Sequence, residues 1–278
     1  MKTFENLIQE YSLKLKSLKL HRPRMVVEEI ISNILNIPRC DLFYFYEKSV
    51  EKDLSLKIKR SFNLILKGNL VEYVIGKVEF YGCIITVNPA VLIPRQETEL
   101  LMEAFASSSI NEGSSKTVFD VCCGSGCLAI STKKNFPNFD VYASDVSQSA
   151  LNVAKKNAVI NQVDVSFLKG SLFKPYKGLK ADYILCNPPY LSEEEFKEIN
   201  NTKEPCCAFV GGKTGLEFYE KIANEILDYV NPGAKIFLEI GYTQGALVNK
   251  IFEKIPSRNK ALKRDLAGHD RFFFLEIE

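Results

Sequence analysis

The run Tyr183-Ile184-Leu185-Cys186, followed at once by Asn187-Pro188-Pro189-Tyr190, constrains this chain more than any other segment. Four apolar residues in a row read as a buried strand. Two successive prolines stop it, because neither carries an N–H and both fix φ. Asn187 is held extended by the proline after it. A rigid shelf thus stands at the carboxyl end of a strand, where open α/β sheets bind ligands. The shelf offers an amide oxygen, backbone carbonyls and an aromatic face. A planar NH2 group needs such a set, two acceptors and a stacking surface. A plain proline-stopped turn looks the same in isolation, and a second motif upstream separates the two.

That motif is Val118-Phe119-Asp120-Val121-Cys122-Cys123-Gly124-Ser125-Gly126-Cys127-Leu128-Ala129-Ile130. An apolar strand runs into a tight turn of small residues, and an apolar helix begins. Glycines let backbone approach a ligand closely, and a helix start presents unpaired N–H groups. Asp145 ends the next strand, Val141-Tyr142-Ala143-Ser144. An acid roughly twenty residues past such a turn can accept from a ribose diol. Strand, turn, helix, strand and acid together indicate a nucleoside site. A dinucleotide fingerprint would read G-x-G-x-x-G, whereas here Cys122 fills the first glycine slot and Ala129 the last. No Gly-Lys-Ser/Thr phosphate loop is present, which argues against a triphosphate.

An Asp-x-x-x-Gly-x-Gly turn followed by Asn-Pro-Pro-Tyr resembles S-adenosylmethionine-dependent methyltransferases acting on planar nitrogens. Further segments narrow the likeness: 71–82, Pro94-Arg95-Gln96-Glu97-Thr98-Glu99, Gly211-Gly212, Gly215-Leu216, Leu238-Glu239-Ile240-Gly241, Gln244-Gly245 and 264–271. In this order they resemble the PrmC/HemK family of release factor glutamine N5-methyltransferases, over nearly the whole chain and most weakly over its first seventy residues. The resemblance implies methyl transfer from S-adenosyl-L-methionine, leaving S-adenosyl-L-homocysteine. The acceptor is the glutamine of a Gly-Gly-Gln loop in class I peptide chain release factors, with a role in translation termination. It also implies roles for single residues. Cys122, Cys123, Gly124, Ser125 and Gly126 lie under the cofactor, Asp145 takes its ribose and Leu172 borders its adenine. Asn187 and the Pro188 carbonyl accept from the substrate amide. Pro189 completes the shelf, and Tyr190 stacks on the amide plane. No general base and no metal are expected. Cys122 in a glycine slot implies either that the turn needs no positive φ there or that the loop is slightly displaced. Leu172 stands where the family often has an aromatic, so some stacking is lost.

Two other functions compete. The same shelf serves N6-adenine methylation of DNA on a flipped-out base, but the chain lacks a separate basic recognition domain. Net charge is only +2, and direct nucleic-acid binding is not expected. A non-catalytic cofactor-binding scaffold would need no intact shelf.

Strands are expected near 117–122, 139–144, 164–168, 181–186 and 234–240, with helices such as 97–106, 148–160 and 215–230 among them. This alternation means a parallel sheet covered on both faces. Residues 260–266 and 271–277 should close it as an antiparallel hairpin. The expected fold is α/β, a Rossmann-like seven-stranded S-adenosylmethionine-dependent methyltransferase sheet with that C-terminal hairpin and a small N-terminal helical domain. Three parts are read: a helical, substrate-docking domain over 1–75, a β-hairpin connector over 76–93 and a catalytic domain over 94–278. Asn111 to Ser115 reads as a loop. Within 1–75, Phe4, Leu7, Ile8, Tyr11, Leu15 and Leu18 recur at helical spacing. Acids among the lysines argue against a transit peptide. A second helix follows Pro23, with Met25, Val26, Ile30, Ile31, Ile34 and Leu35 on one side and Pro38 at its end. A third carries Leu54, Ile58, Phe62 and Ile65. Residues 1–70 hold 13 Lys and Arg against 8 Asp and Glu, either a solvated surface or a mildly basic docking face.

Eight cysteines include no Cys-x-x-Cys pair, and the histidines are His21 and His269 alone. With no signal peptide and no apolar run long enough to span a bilayer, a soluble, cytoplasmic monomer is expected. Arg95, Glu97 and Glu99 read as rim salt-bridge formers, Glu239 as facing the cavity or positioning a loop, and His269 as exposed.

Overall fold

Helical spacing of apolar residues organises the first part of the chain. In the computed structural model, which describes residues 2–18, 20–109, 114–199 and 202–278, contacts divide the protein into two units, Met1–Lys77 and Val78–Glu278. The first unit holds α1 (Phe4–Lys16), α2 (Pro23–Leu35), a 3-10 turn at Arg39–Phe45, α3 (Lys52–Leu66) and α4 (Val71–Ile75). Thr3 caps α1 by accepting from the Asn6 N–H, and the Asn6 side chain reaches back to the Thr3 N–H. Its core takes Leu7, Ile8, Tyr11 and Leu15 from α1, Val27, Ile30 and Ile31 from α2, and Ile58, Phe62 and Ile65 from α3. The Tyr11 and Phe62 rings stack at 4.1 Å.

Two expectations shift here. Leu18 lies past the end of α1 and is exposed, and Val27 takes the buried place expected of Met25. α2 ends at Leu35 because Asn36 turns left-handed (φ 54°), two residues before Pro38 could stop it. Several of the basic residues are paired within the unit: Arg24 with Glu5 and Glu28, Arg39 with Glu28, and Lys14 with Glu10.

The second part begins with a hairpin, β1 (Lys77–Phe80) and β2 (Cys83–Thr86). Then come α5 (Gln96–Ser109), β3 (Thr117–Val121), α6 (Cys127–Asn135), β4 (Asp140–Asp145), α7 (Gln148–Asn161), β5 (Ser166–Lys169) and β6 (Ala181–Cys186). The chain continues with β7 (Leu191–Ser192), α8 (Glu193–Glu198), β8 (Val210–Gly212), α9 (Glu217–Glu225), β9 (Val230–Glu239), α10 (Gly245–Ile251), β10 (Ser257–Arg264) and β11 (Asp270–Ile277). Seven strands form one sheet in the order β10-β11-β9-β6-β3-β4-β5. β9, β6, β3, β4 and β5 run parallel, while β11 pairs antiparallel to β9 and to β10. This is the mixed seven-stranded sheet and terminal hairpin expected of a methyltransferase. β3 and β6 are buried along nearly their whole length, as central parallel strands covered on both faces are.

The chain moves outward from β3 to β4 and β5, then returns to place β6 on the other side of β3. The turns leaving β3 and β6 therefore diverge and open a crevice between them. The expected loop at Asn111 to Ser115 lies outside the described residues over 111–113. Among the described residues no helix is long and apolar enough to cross a membrane.

Phe62 is fully buried and stacked, so Phe62→Ala should cost about 3–5 kcal/mol of stability in the first unit. Denaturant unfolding followed by tyrosine fluorescence measures it.

Candidate active site

The crevice is real and lined as the topology requires. One cavity of ≈ 240 Å³ is walled by Cys122, Cys123, Gly124 and Ser125 from the turn after β3, by Asp145 after β4, by Leu172 after β5, and by Asn187 and Pro189 after β6. Gly126, Pro188 and Tyr190 are not among its wall residues. Asp120, Pro94, Arg95, Thr98 and Cys207 complete the part of the wall that matters here.

The β3 turn is built by hydrogen bonds that its sequence can supply. Cys123 N donates to the Ser144 carbonyl at 2.9 Å, and Gly126 N to the Cys123 carbonyl at 2.7 Å. Gly124 N donates to Asp145 Oδ2 at 2.9 Å, and Ser147 N to Asp145 Oδ1 at 2.8 Å. Asp145 is thereby fixed in place with lone pairs to spare. The fully buried Asn157 of α7 donates to the Ser125 carbonyl at 3.0 Å. It also takes both backbone groups of Thr86, donating to its carbonyl at 3.0 Å and accepting from its N–H at 2.8 Å. Gly126 caps α6 at φ 78°, and an added Cβ would meet Ala154 at 3.0 Å. Its task is packing α6 against α7.

Cys122 decides against one of its two readings, that the turn needs no positive φ there. Its φ is 65°, so the turn does adopt a left-handed residue at the slot where glycine was absent from the motif. Leu172 is left-handed too, at φ 48°. Both side chains pack with the large core beneath the sheet. That burial offsets a conformation which costs a residue with a Cβ about 1–2 kcal/mol.

Asp120 was overlooked as a site residue, although its place in Asp-x-x-x-Gly-x-Gly could have revealed it. It is 1% exposed, and its Oδ2 accepts from Ala129 N at 3.0 Å. Oδ1 has no partner among the described residues. Burial pushes this carboxyl up to about 7, helped by the nearby Asp145 charge and opposed by the Ala129 N–H. An unpaired buried carboxylate oxygen on a cavity wall fits a cationic donor group such as an ammonium.

The shelf is braced from behind. An added Cβ on Gly211 would strike the Pro189 carbonyl, and one on Gly215 would strike that of Tyr190. Gln244 donates from Nε2 to the Tyr190 carbonyl at 2.8 Å and accepts from Gly241 N at 3.0 Å. Leu191 N donates to the Phe209 carbonyl at 2.8 Å, where β7 and β8 pair. The Tyr190 ring packs against the core, and burial pushes its phenol up to about 12. Asn187 Nδ2 donates to Thr98 Oγ1 at 3.1 Å. Thr98 Oγ1 donates in turn to Glu239 Oε2 at 2.7 Å.

At the rim, Arg95 pairs with Glu204 at 2.6 Å, and Glu204 also accepts from Ile93 N at 2.9 Å. Glu99 accepts from Tyr81 N at 2.8 Å. Glu239 is 2% exposed and lies behind the cavity wall. His269 is exposed, its ring 5.5 Å from that of Tyr242.

The chain is similar to several known proteins. A family profile described as "Methyltransferase small domain" matches residues 95–202. The chain is 41% identical to a release factor glutamine methyltransferase of Chlamydia trachomatis serovar L2, over 98% of this chain and 93% of that protein. It is 34% identical to one of Thermodesulfovibrio yellowstonii, over 90% and 91%. The fold matches that of the T. thermophilus 16S rRNA methyltransferase RsmC, solved in complex with AdoMet and guanosine. The TM-score is 0.52 at 16% identity, covering 73% of this chain and 50% of that one.

The strain at Cys122 can be read by substitution. Cys122→Gly and Cys122→Ala lose the same thiol contacts, but only glycine relieves the left-handed penalty. Cys122→Gly should be the more stable of the two by about 1 kcal/mol, measured by urea unfolding.

Proposed function

We propose a function from one premise: this chain belongs to the release factor glutamine methyltransferase family. It transfers a methyl group to the side-chain amide nitrogen of the glutamine in the Gly-Gly-Gln loop of class I release factors. The observation that carries this reading is Asn187 on the proline shelf. One N–H of its Nδ2 is held by Thr98 Oγ1, and Oδ1, the side chain's acceptor, is left for an incoming amide N–H.

S-adenosylmethionine, when bound, supplies an electrophilic methyl on a sulfonium. The residues present suit it. The unpaired Oδ1 of Asp120 fits the ammonium of its amino-acid portion. Backbone from Cys122 to Gly126 underlies it, Asp145 takes the ribose hydroxyls and Leu172 borders the base. The apolar character of Leu172, Leu128 and Val146 around these polar groups suits a nucleoside.

A carboxamide nitrogen is a poor nucleophile because its lone pair is delocalised into the carbonyl. Asn187 Oδ1 and the Pro188 carbonyl accept its two N–H groups, which raises electron density on nitrogen. After transfer the nitrogen is cationic and acidic, and it gives up its proton to solvent water. Most of the acceleration is positioning, since the shelf holds its acceptors rigidly. Gln244 holds the Tyr190 carbonyl, and the partly buried Tyr190 ring would stack on the amide plane.

The helical part, 1–75, docks the release factor, residues 76–93 connect, and 94–278 perform the transfer. The protein works as a cytoplasmic monomer, without a metal and without direct nucleic-acid binding.

Incubation with tritiated S-adenosylmethionine tests the substrate. Label should enter release factor but neither its loop Gln→Ala variant nor duplex DNA. Label on DNA would favour adenine methylation, and bound cofactor without transfer would favour a scaffold. Asn187→Ala should lower kcat about 100-fold while changing cofactor Kd less than about 3-fold. Equal losses in both would give Asn187 a cofactor-holding role instead.

Asp120 predicts a proton signature. With its folded-state carboxyl at about 7 against an ordinary 3.8, the native protein binds the extra proton between those values. This contribution to stability is therefore present below the ordinary value and lost as pH rises towards 7. An ammonium against Oδ1 lowers the carboxyl, so cofactor binding at pH 6 releases a proton. Calorimetry in buffers of different ionisation enthalpy measures the release, and Asp120→Asn should diminish it.

A further inference from the structure

Asn187 serves a substrate amide only when its own carboxamide is turned the right way. Rotated by half a turn, it offers a donor where an acceptor is needed. The Thr98 hydroxyl, which accepts from Asn187 Nδ2, donates its single proton to Glu239 Oε2. While that proton is so placed, the Thr98 oxygen can only accept, and only the NH2 end of Asn187 can face it. Thr98 and Glu239 are each 2% exposed, so bulk water does not compete for these bonds. Thr98 stands in the first turn of α5 and Glu239 at the last residue of β9. Three separate elements thus meet behind the shelf.

We infer that Thr98 and Glu239 are positioning residues that lock the Asn187 carboxamide with its oxygen towards the cavity. The inference rests on Asn187 being the acceptor for a substrate amide. The polarity of the lock follows from the charge on Glu239. An ionised Glu239 can only accept, and the direction from Asn187 through Thr98 to Glu239 is the one available. A protonated Glu239 can donate to Thr98. The Thr98 proton then turns to Asn187, and the amide rotates to receive it on oxygen. The cavity is left facing an NH2 group, which repels the substrate's own N–H.

Burial pushes Glu239 up to about 7, with Glu97 adding to the shift and Thr98, Arg271 and Arg95 opposing it. The other titratable groups that feel it are Tyr190 on the shelf, Tyr219 on α9, Cys186 on β6 and Cys127 on α6. Burial raises all four, so they stay protonated across neutral pH. Arg271, Arg95 and Glu97 are the charges that remain around the switch.

Thr98→Val keeps the shape of the side chain and removes the hydroxyl. Assayed with release factor, it should lower kcat by at least about 10-fold, with cofactor Kd within about 3-fold of wild type. Thr98→Ser should restore most of the loss. Wild-type kcat should fall as pH drops below about 7, and Glu239→Gln should flatten that limb. One readout needs no turnover. The side-chain ¹⁵N–¹H signals of Asn187, identified by their absence in Asn187→Ala, should shift with pH in the wild type and not in Glu239→Gln. The lock is overturned if Thr98→Val turns over like wild type. It is overturned equally if cofactor affinity falls as much as kcat, or if the wild-type Asn187 signals ignore pH. Failure of wild type to methylate the factor, with the signals still titrating, would sink the proposed substrate and leave the lock standing.

Discussion

Everything at the site depends on one pairing in the sheet. Val121 at the end of β3 lies opposite Cys186 at the end of β6. The next residue on each strand starts a turn, Cys122 on one side and Asn187 on the other. Because the chain order reverses between these strands, no crossover helix covers the gap. The turn proposed for the nucleoside and the shelf proposed for the substrate amide are thus placed side by side by backbone register. A slip of one residue would exchange the faces of every β6 side chain and bury the wrong ones.

Register brings the turns together, but other groups keep them rigid. Prolines remove backbone donors from the shelf, so it cannot be stiffened by its own hydrogen bonds. Its carbonyls are instead crowded by the glycines at 211 and 215 and held by Gln244. Those close approaches explain why glycine stands at both positions. On the nucleoside side the same work falls to Asp145 and Asn157, which satisfy backbone groups of the turn directly. Each half of the site has a buried polar side chain behind it, Asn157 on one side and Gln244 on the other, whose bonds are strong because water is excluded.

Much of this was legible in the sequence, and the reasons for the rest are physical. The central strands β3 and β6 were readable because each is a short, largely apolar run that ends at turn residues. β7 and β8 were not, since two- and three-residue strands leave no periodicity. The motif residues announced themselves through prolines, glycines and an acid at fixed spacing. The supporting groups did not. Thr98 and Glu239 lie 141 positions apart, and Arg95 and Glu204 lie 109 apart. Only the folded sheet brings such partners within reach. At Cys122 a non-glycine residue left two readings open, a relaxed backbone or a displaced loop. The first fails, because the fold imposes the left-handed conformation and offsets part of its cost by packing the half-buried side chain against the core.

Asn157 has a mechanical consequence. One rigid amide, buried and saturated, grips the second strand of the leading hairpin at Thr86 and the floor of the nucleoside turn at Ser125. A displacement of β2 at Thr86 is therefore felt at the Ser125 carbonyl through a single side chain.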